Sequence, residues 1–573
     1  MKTKLRDRVL LITVYATCLV VTTNFIDPIN LPKLLVLTIG TTLLLITSFF
    51  DKKKSEIFSI KSINFISSFF IFFLIISGLL SNQNLNRTLI GNYGRNNGLI
   101  SYFCLIIIFL YASNYSRRNE SSLVIRNFSI LGAVLSLYGV IQMNRADFFH
   151  FVYGGNPIIL TVGNEDFSSL LLSLTVIASI FSAIHSKSDV NRFLYSINAI
   201  FQTWIIININ TAQSKLAIAS SVVCFYISYI YLKMGNRRKF IQIFMGVSFI
   251  SILVVFFGFK GRGPLATINS NLRNFLSRYY HWVEGWKMFK ANPIHGIGLD
   301  SYGDYQPFYR VLQADGQPDS YSNNAHNIFI QLLSTGGLIL ASAFLLLVIF
   351  VLFRAITIFR LKNTDPELSS FFLSFCVIFL IHLVVGIDNL GLAIWFWFIA
   401  GLLVGQSYKK REQKLPSKRT LIKSVAIQSS IYSKISLTIF TSLMAVFFVF
   451  VSRESIAHLQ ISNKLITKNQ IRVSNADSND VYRIAMKSQD PDLRLVSVKV
   501  LYSLNAMELG LKLALDSYKI SPRNLSNLDA ISLYYESKKD YQNAIRYRKI
   551  MVTLDPLSSV LKQKLDDDTK LLN

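Results

Sequence analysis

Thirteen apolar runs, most of them close to twenty residues long, dominate the chain between residues 9 and 452. They fall at about residues 9–25, 31–50, 63–80, 99–113, 123–143, 167–185, 192–209, 216–232, 240–259, 328–353, 369–385, 391–408 and 435–452, with boundaries good to roughly two to four residues. A hydrocarbon layer about 30 Å thick takes ~20 helical residues to cross, and tilt or polar extensions serve the shorter runs. The expected fold class is therefore all-α. It is a polytopic membrane helix bundle of about 12–13 spans, with a large helical outer loop and a small C-terminal helical repeat domain.

Half of the 573 residues are apolar, yet the net charge is +27. In a soluble chain that excess would point to nucleic acid. Here Lys and Arg sit in short clusters between the apolar runs, the distribution that sets membrane orientation, so no nucleic-acid partner is expected. Lys2, Lys4, Arg6 and Arg8 precede the first run. Lys52 to Lys54, Arg117 with Arg118, Lys187 with Arg192, Lys233 to Lys239, Arg354 to Lys362 and Lys409 to Arg419 mark alternate loops. The loops at 26–30 and 386–390 carry no Lys or Arg. A cytoplasmic N-terminus puts every cluster on one side. The loops at 81–98 and 144–166, the stretch Lys260–Gly337 and everything after residue 452 then lie outside the cytoplasm. The run after Arg8 has no small-residue cleavage site behind it and reads as an uncleaved first span. Cys18, Cys104, Cys224 and Cys376 all fall within apolar runs and are expected to be inert packing.

Four parts follow: a first membrane part (1–259), a large periplasmic loop (260–327), a second membrane part (328–452) and an extracytoplasmic helical region (453–573). In the last, Ser521-Pro522 and Asp555-Pro556 repeat at the 34-residue tetratricopeptide period. Tyr535 and Ala544 stand where that repeat packs an aromatic and a small residue, and Leu528 and Ile531 make an apolar helix face. An ordinary helical hairpin remains the alternative. Either would hold a protein partner or a neighbouring domain.

Chemistry is concentrated in the non-cytoplasmic loops. Gly91-Asn92-Tyr93-Gly94-Arg95-Asn96-Asn97-Gly98 allows close backbone approach. Arg95 there either offers its donor fork to a phosphate or snorkels to anchor the next span. Lys215 follows hydroxyl and amide residues at a helix start, an anion site or a plain first-turn residue. Asp166 is expected to cap the helix that begins beside it. In Lys260–Gly337, Arg278, Trp282 and Trp286 recur every four residues and share one helical face, which can lie on the membrane surface or hold Arg278 towards an anionic headgroup. Asn292-Pro293-Ile294-His295-Gly296-Ile297-Gly298 marks a tight turn without phosphate-loop context. His326 sits among Asn323, Asn324 and Asn327 at the mouth of an apolar run, where a neutral imidazole can take a proton from a hydroxyl. A lone loop histidine is more often structural; the neighbouring asparagines and arginines favour the functional reading. No nucleotide-sugar signature or phosphate-binding glycine loop is present, and His382 and Asp388 are the nearest approach to the buried charges of an ion-coupled carrier.

These residues resemble the O-antigen ligase and O-antigen polymerase superfamily, which includes the oligosaccharyltransferases of pilins. The resemblance covers roughly Leu10 to Gln406 in architecture. Its motifs are Gly91–Gly98, Arg278 with Trp282 and Trp286, the Pro293 to Gly298 turn, and Ala325-His326-Asn327 leading into Leu332-Leu333-Ser334-Thr335-Gly336-Gly337-Leu338. It implies an undecaprenyl-diphosphate-linked glycan donor, a glycolipid, glycan or protein acceptor, contact with membrane lipid, and no metal or other cofactor. Carried over residue by residue, it puts Arg278 and Arg95 on the diphosphate and His326 at the acceptor hydroxyl, with Asn327, Trp282 and Trp286 in support. The family's Ser-Arg-Gly reads Ser214-Lys215-Leu216 here, which keeps the charge of a diphosphate ligand but loses the bidentate fork. Ligase-type transfer at the outer face of the inner membrane is the expected function. A polymerase using the same donor is the close rival; a small-solute or inorganic-carbon transporter and a non-catalytic scaffold are more distant.

Overall fold

The computed structural model describes residues 5–50, 61–81, 83–118, 120–149, 158–209, 212–233, 242, 272–313, 316–361, 364–412, 422–467, 470–471 and 477–572. The expected span at 240–259, Gln242 apart, and Arg262 lie outside the described residues, as does the side chain of Lys215.

The chain is an all-α, multi-pass membrane bundle. The other expected runs coincide with helices: Leu5–Leu19, Asn30–Phe49, Lys61–Leu80, Leu99–Arg118, Ser121–Met143, Glu165–His185, Asp189–Ile209, Ala212–Lys233, Ile328–Arg360, Pro366–Val385, Leu390–Glu412 and Ile422–Leu465. Among the described residues, nine helices are long and apolar enough to cross a membrane. Only a helix satisfies every backbone N–H and C=O within its own segment, which is why uninterrupted apolar runs fold this way in lipid. Leu99–Arg118 and Leu390–Glu412 pack against each other at the centre, where Trp395 is fully buried against Phe128 and Tyr15. All four cysteines are buried and unpaired by disulfides, as their positions required.

The helix Ile328–Arg360 carries a break that shapes everything around it. Gly337 has φ +69°, ψ −175° inside an otherwise helical run, so the helix loses part of its hydrogen-bond ladder there. The Pro293 to Gly298 turn replaces those bonds. Ile297 N–H donates to the Ser334 carbonyl at 2.9 Å, Gly298 N–H to that of Thr335 at 3.0 Å, and Leu338 N–H to that of Pro293 at 2.8 Å. A Cβ on Gly337 would lie 2.1 Å from the Ile294 carbonyl oxygen, so only glycine admits the turn.

Loops that the charge alternation assigns to one side meet at one end of the bundle. Asn30 Nδ2 donates to the Gly94 carbonyl (2.7 Å), Asn389 Nδ2 to Asn30 Oδ1 (2.9 Å) and to the Val162 carbonyl (3.2 Å), and Asn97 Nδ2 to the Asp388 carbonyl (2.9 Å). The 81–98 loop holds a short helix, Leu85–Ile90, whose Arg87 forms a bidentate pair with Asp304 at 2.8 and 2.9 Å.

The helix Ile422–Leu465 continues past residue 452 into a series of short helices: Ser478–Lys487, Pro491–Ser503, Met507–Ile520, Leu525–Ser537, Tyr541–Leu554 and Ser559–Leu572. Successive members pack on one another, with Leu528, Ile531 and Ala544 fully buried as their spacing anticipated. Tyr535 stacks on Tyr547 with ring centroids 5.9 Å apart. Arg310 ties this region to the loops through a bidentate pair with Asp555 at 2.7 and 2.8 Å.

Gly337→Ala is expected to lower the apparent Tm of the detergent-solubilised protein markedly, combining backbone strain of ~1–2 kcal/mol with the carbonyl clash. Gly316→Ala, at φ +77° but with nothing within 4 Å of the added carbon, should show the strain alone. Thermal unfolding of the two variants side by side separates the contributions.

Candidate active site

The loop helix Leu272–Ala291 lays Arg278, His281 and Trp282 against the mouth of Ile328–Arg360, because residues three and four apart share a helical face. His326 stands just ahead of that mouth with φ +51°. Few residues other than glycine adopt this left-handed conformation, and the surroundings must hold it. Its N–H donates to Asn324 Oδ1 at 2.8 Å, and its carbonyl accepts from Trp282 Nε1 at 3.4 Å. Asn327 caps the following helix, its side chain accepting from Ile330 N–H at 3.1 Å. The His326 ring stacks on that of His281, centroids 5.5 Å apart.

The two histidines carry opposite electrostatics. Burial, then the fields of Arg278, His281 and Arg95, depress the His326 pKa to about 3. His326 is therefore neutral at physiological pH. His281 is buried too, but the hydrogen bonds it donates to Asp319 and Glu284 outweigh the burial and lift it to about 9. Its Nδ1 lies 3.0 Å from Asp319 Oδ2 and 3.3 Å from Glu284 Oε2. These groups present ligand atoms within 4.8 Å of one another, a spacing that a metal ion could use. The imidazolium meets that need here, and the carboxylates have further donors. Tyr302 and Gln306 reach Glu284 Oε2, Val311 N–H reaches its Oε1, and Gln313 reaches Asp319 Oδ1.

The arginines are held from either side. Arg278 Nη2 donates to Asp166 Oδ2 at 3.2 Å, and burial lowers its pKa against that partner's pull. This corrects the expected capping role of Asp166. Asn164 is the cap, its side chain accepting from Asp166 N–H at 2.8 Å, and the Asp166 carboxylate turns to Arg278 instead. Arg95 donates to Asn323 Oδ1 from Nη2 at 3.0 Å and Nε at 3.3 Å. Its loop is folded around the buried Asp300, whose Oδ2 accepts from the N–H groups of Asn92 (2.6 Å) and Asn97 (3.2 Å). Burial raises Asp300 to about 6 despite those bonds. Gly91, at φ +93°, is needed because a Cβ there would lie 2.6 Å from the same oxygen.

Arg278, Arg95, Trp282, Asn327 and His326 thus meet at one end of the bundle. Trp286 does not join them: it is 45% exposed, its ring against Phe289. Lys215 lies on the helix Ala212–Lys233 with its side chain outside the described residues. Asp388 sits close by, accepting from Tyr102 Oη at 2.9 Å. Sequence reasoning missed His281, Glu284, Asp319 and Asp300. The His281–Glu284 spacing of three on an evident helix was a legible signal; the two aspartates carried none.

Fold and site together define a multi-pass membrane protein with a cationic, histidine-bearing centre where its loops converge. The family described as O-Antigen ligase matches residues 197–345, a segment that holds Arg278, Trp282, His326 and Asn327. Over that segment the chain is similar to the O-antigen ligase family. No curated protein matches the chain.

Arg278→Ala should raise the His326 pKa from about 3 towards 6.5, read by ¹⁵N-histidine NMR. Because His281 is raised above its unfolded value, its contribution is full below pH 6.5 and lost as pH climbs through about 9. Apparent Tm should therefore fall between pH 7 and 9.5. Asp319→Asn should flatten that slope and cost about 3 kcal/mol by removing one partner of a buried ion pair.

Proposed function

We propose that this protein transfers an oligo- or polysaccharide from undecaprenyl diphosphate to an acceptor hydroxyl on the outer face of the inner membrane, in the manner of an O-antigen ligase. The observation that carries the reading is one imidazole kept unprotonated in the field of two guanidinium groups where the loops converge. Inner-membrane placement and a cytoplasmic N-terminus rest on the basic clusters.

The residues suit the chemistry. The acceptor oxygen attacks the anomeric carbon, the bond from that carbon to the diphosphate oxygen breaks, and the electron pair leaves with the diphosphate. Arg278 and Arg95 stabilise that developing charge, the dominant demand when the leaving group is already good. The His326 imidazole takes the hydroxyl proton, which then passes to solvent. A pKa near 3 makes it a weak base alone. Burial, the largest cause, keeps the imidazole weak, but a bound diphosphate offsets both arginine fields, so donor binding makes it a stronger base. Asp166 yields part of Arg278 to the incoming anion. Direct displacement inverts the anomeric configuration. Lys215 is a third diphosphate contact in this scheme. The C-terminal helices favour transfer to a separate acceptor over chain extension on the lipid carrier.

The test uses full-length protein in proteoliposomes, supplied with undecaprenyl-diphosphate glycan and an acceptor glycolipid from the source cells. His326→Ala should lose about 10²-fold or more in transfer rate, and Arg278→Ala should lose a comparable factor, chiefly at low donor concentration. Wild-type rates in folded samples of both variants would overturn the mechanism. Product that grows only on the lipid carrier would assign a polymerase instead.

A further inference from the structure

We propose that the C-terminal helices form one wall of the acceptor site, and that the cleft between them and the loops binds a carbohydrate acceptor over His326. The inference rests on the transfer function proposed above and names the substrate that the second half of the site takes.

A cleft of about 610 Å³ lies between the two regions, within the ~300–1,000 Å³ of ordinary ligand clefts. Tyr321, Asn323 and His326 line it from the loops; Asp492, Asn524 and Ser526 line it from the C-terminal helices. His326 is thus shared between the cationic centre and the cleft, whereas neither Arg278 nor Arg95 lines the cleft. A donor diphosphate on the arginines and an acceptor in the cleft would then approach the same imidazole from different directions, as a displacement requires.

The wall is held by specific contacts. Asp555 is wholly buried, its two carboxylate oxygens accept from Arg310 Nη2 at 2.7 and 2.8 Å, and its Oδ2 accepts from Tyr321 Oη at 2.6 Å. The Arg523 guanidinium lies 4.1 Å from the centroid of the Tyr305 ring, and its Nε donates to the Asp304 carbonyl at 3.0 Å. His458 stacks on Tyr93 with ring centroids 6.0 Å apart. Breaking a buried pair of the Arg310–Asp555 kind leaves an uncompensated charge, so the region stays docked.

The lining selects the ligand class. Amides and hydroxyls, with the guanidinium groups of Arg87 and Arg523 and the carboxylates of Asp304 and Asp492, together offer donors and acceptors that match the hydroxyls of a sugar. Burial and the neighbouring Asp490 raise the Asp492 carboxyl, so it can donate as well as accept near neutral pH. Tyr93, Tyr321 and Leu525 also line the cleft, and a protein acceptor is the alternative that peptide competition tests.

Transfer kinetics on full-length protein, with donor and acceptor glycolipid from the source cells titrated separately, test the inference. Ser526→Trp puts bulk into the cleft from an exposed helical position and should raise the acceptor KM at least tenfold while leaving the donor KM and Tm unchanged. Asp492→Asn should raise the acceptor KM severalfold. Thr553→Trp, exposed on the helix Tyr541–Leu554 and outside the cleft, should change neither KM. An unmoved acceptor KM in Ser526→Trp and Asp492→Asn would overturn the inference. So would a rise in donor KM instead, or competition for the cleft by a serine- and threonine-rich peptide. If His326→Ala transfers at the wild-type rate, the proposed function fails, and that result is distinct from any shift in acceptor KM.

Discussion

The structure depends on how the break at Gly337 is healed. A helix that crosses lipid cannot leave backbone groups unpaired, and here the turn from Pro293 to Gly298 supplies their partners. That exchange fastens the large loop to the helix whose mouth presents His326 and Asn327. The loop helix is joined to the turn at Ala291, so Arg278, His281 and Trp282 are brought to the same mouth. One backbone repair therefore sets the distances of the whole centre.

Electrostatics then divides the labour. Cations dominate the loops, yet several of them have dedicated carboxylates: Arg87 on Asp304, Arg310 on Asp555, His281 between Asp319 and Glu284, Arg278 on Asp166. Arg310 and His281 are the more deeply buried, and their pairs fasten elements together. The Arg278 pair is longer, at 3.2 Å, and its Asp166 side chain is 27% exposed. His326 lies among these cations, and burial together with their fields keeps it unprotonated.

Much of the bundle could be read in advance, because an apolar run near twenty residues has a single stable solution in lipid. The loops that the Lys and Arg clusters group together do meet one another, through Asn30, Asn97 and Asn389. Arg278 and Trp282 at a spacing of four foretold a shared face, and the contact of Trp282 with the His326 carbonyl bears this out. Trp286 continued the same arithmetic but falls a turn beyond the end of the mouth, where it is exposed. Asp166 was read from its neighbours along the chain as a cap, but a residue 112 positions away claims its carboxylate.

The sequence by itself determined an all-α membrane bundle and a short set of chemically apt residues in the loops between its spans. Those follow from hydropathy, charge alternation and helical period, all of which act over tens of residues. Only the tertiary structure decided that His281 is an imidazolium while His326 is a bare imidazole, that Asp300 folds the Gly91–Gly98 loop around its carboxylate, and that the C-terminal helices close over the site through Arg310 and Asp555. A pKa or an ion pair depends on burial and on groups brought together from distant parts of the chain, and no local pattern encodes that distance.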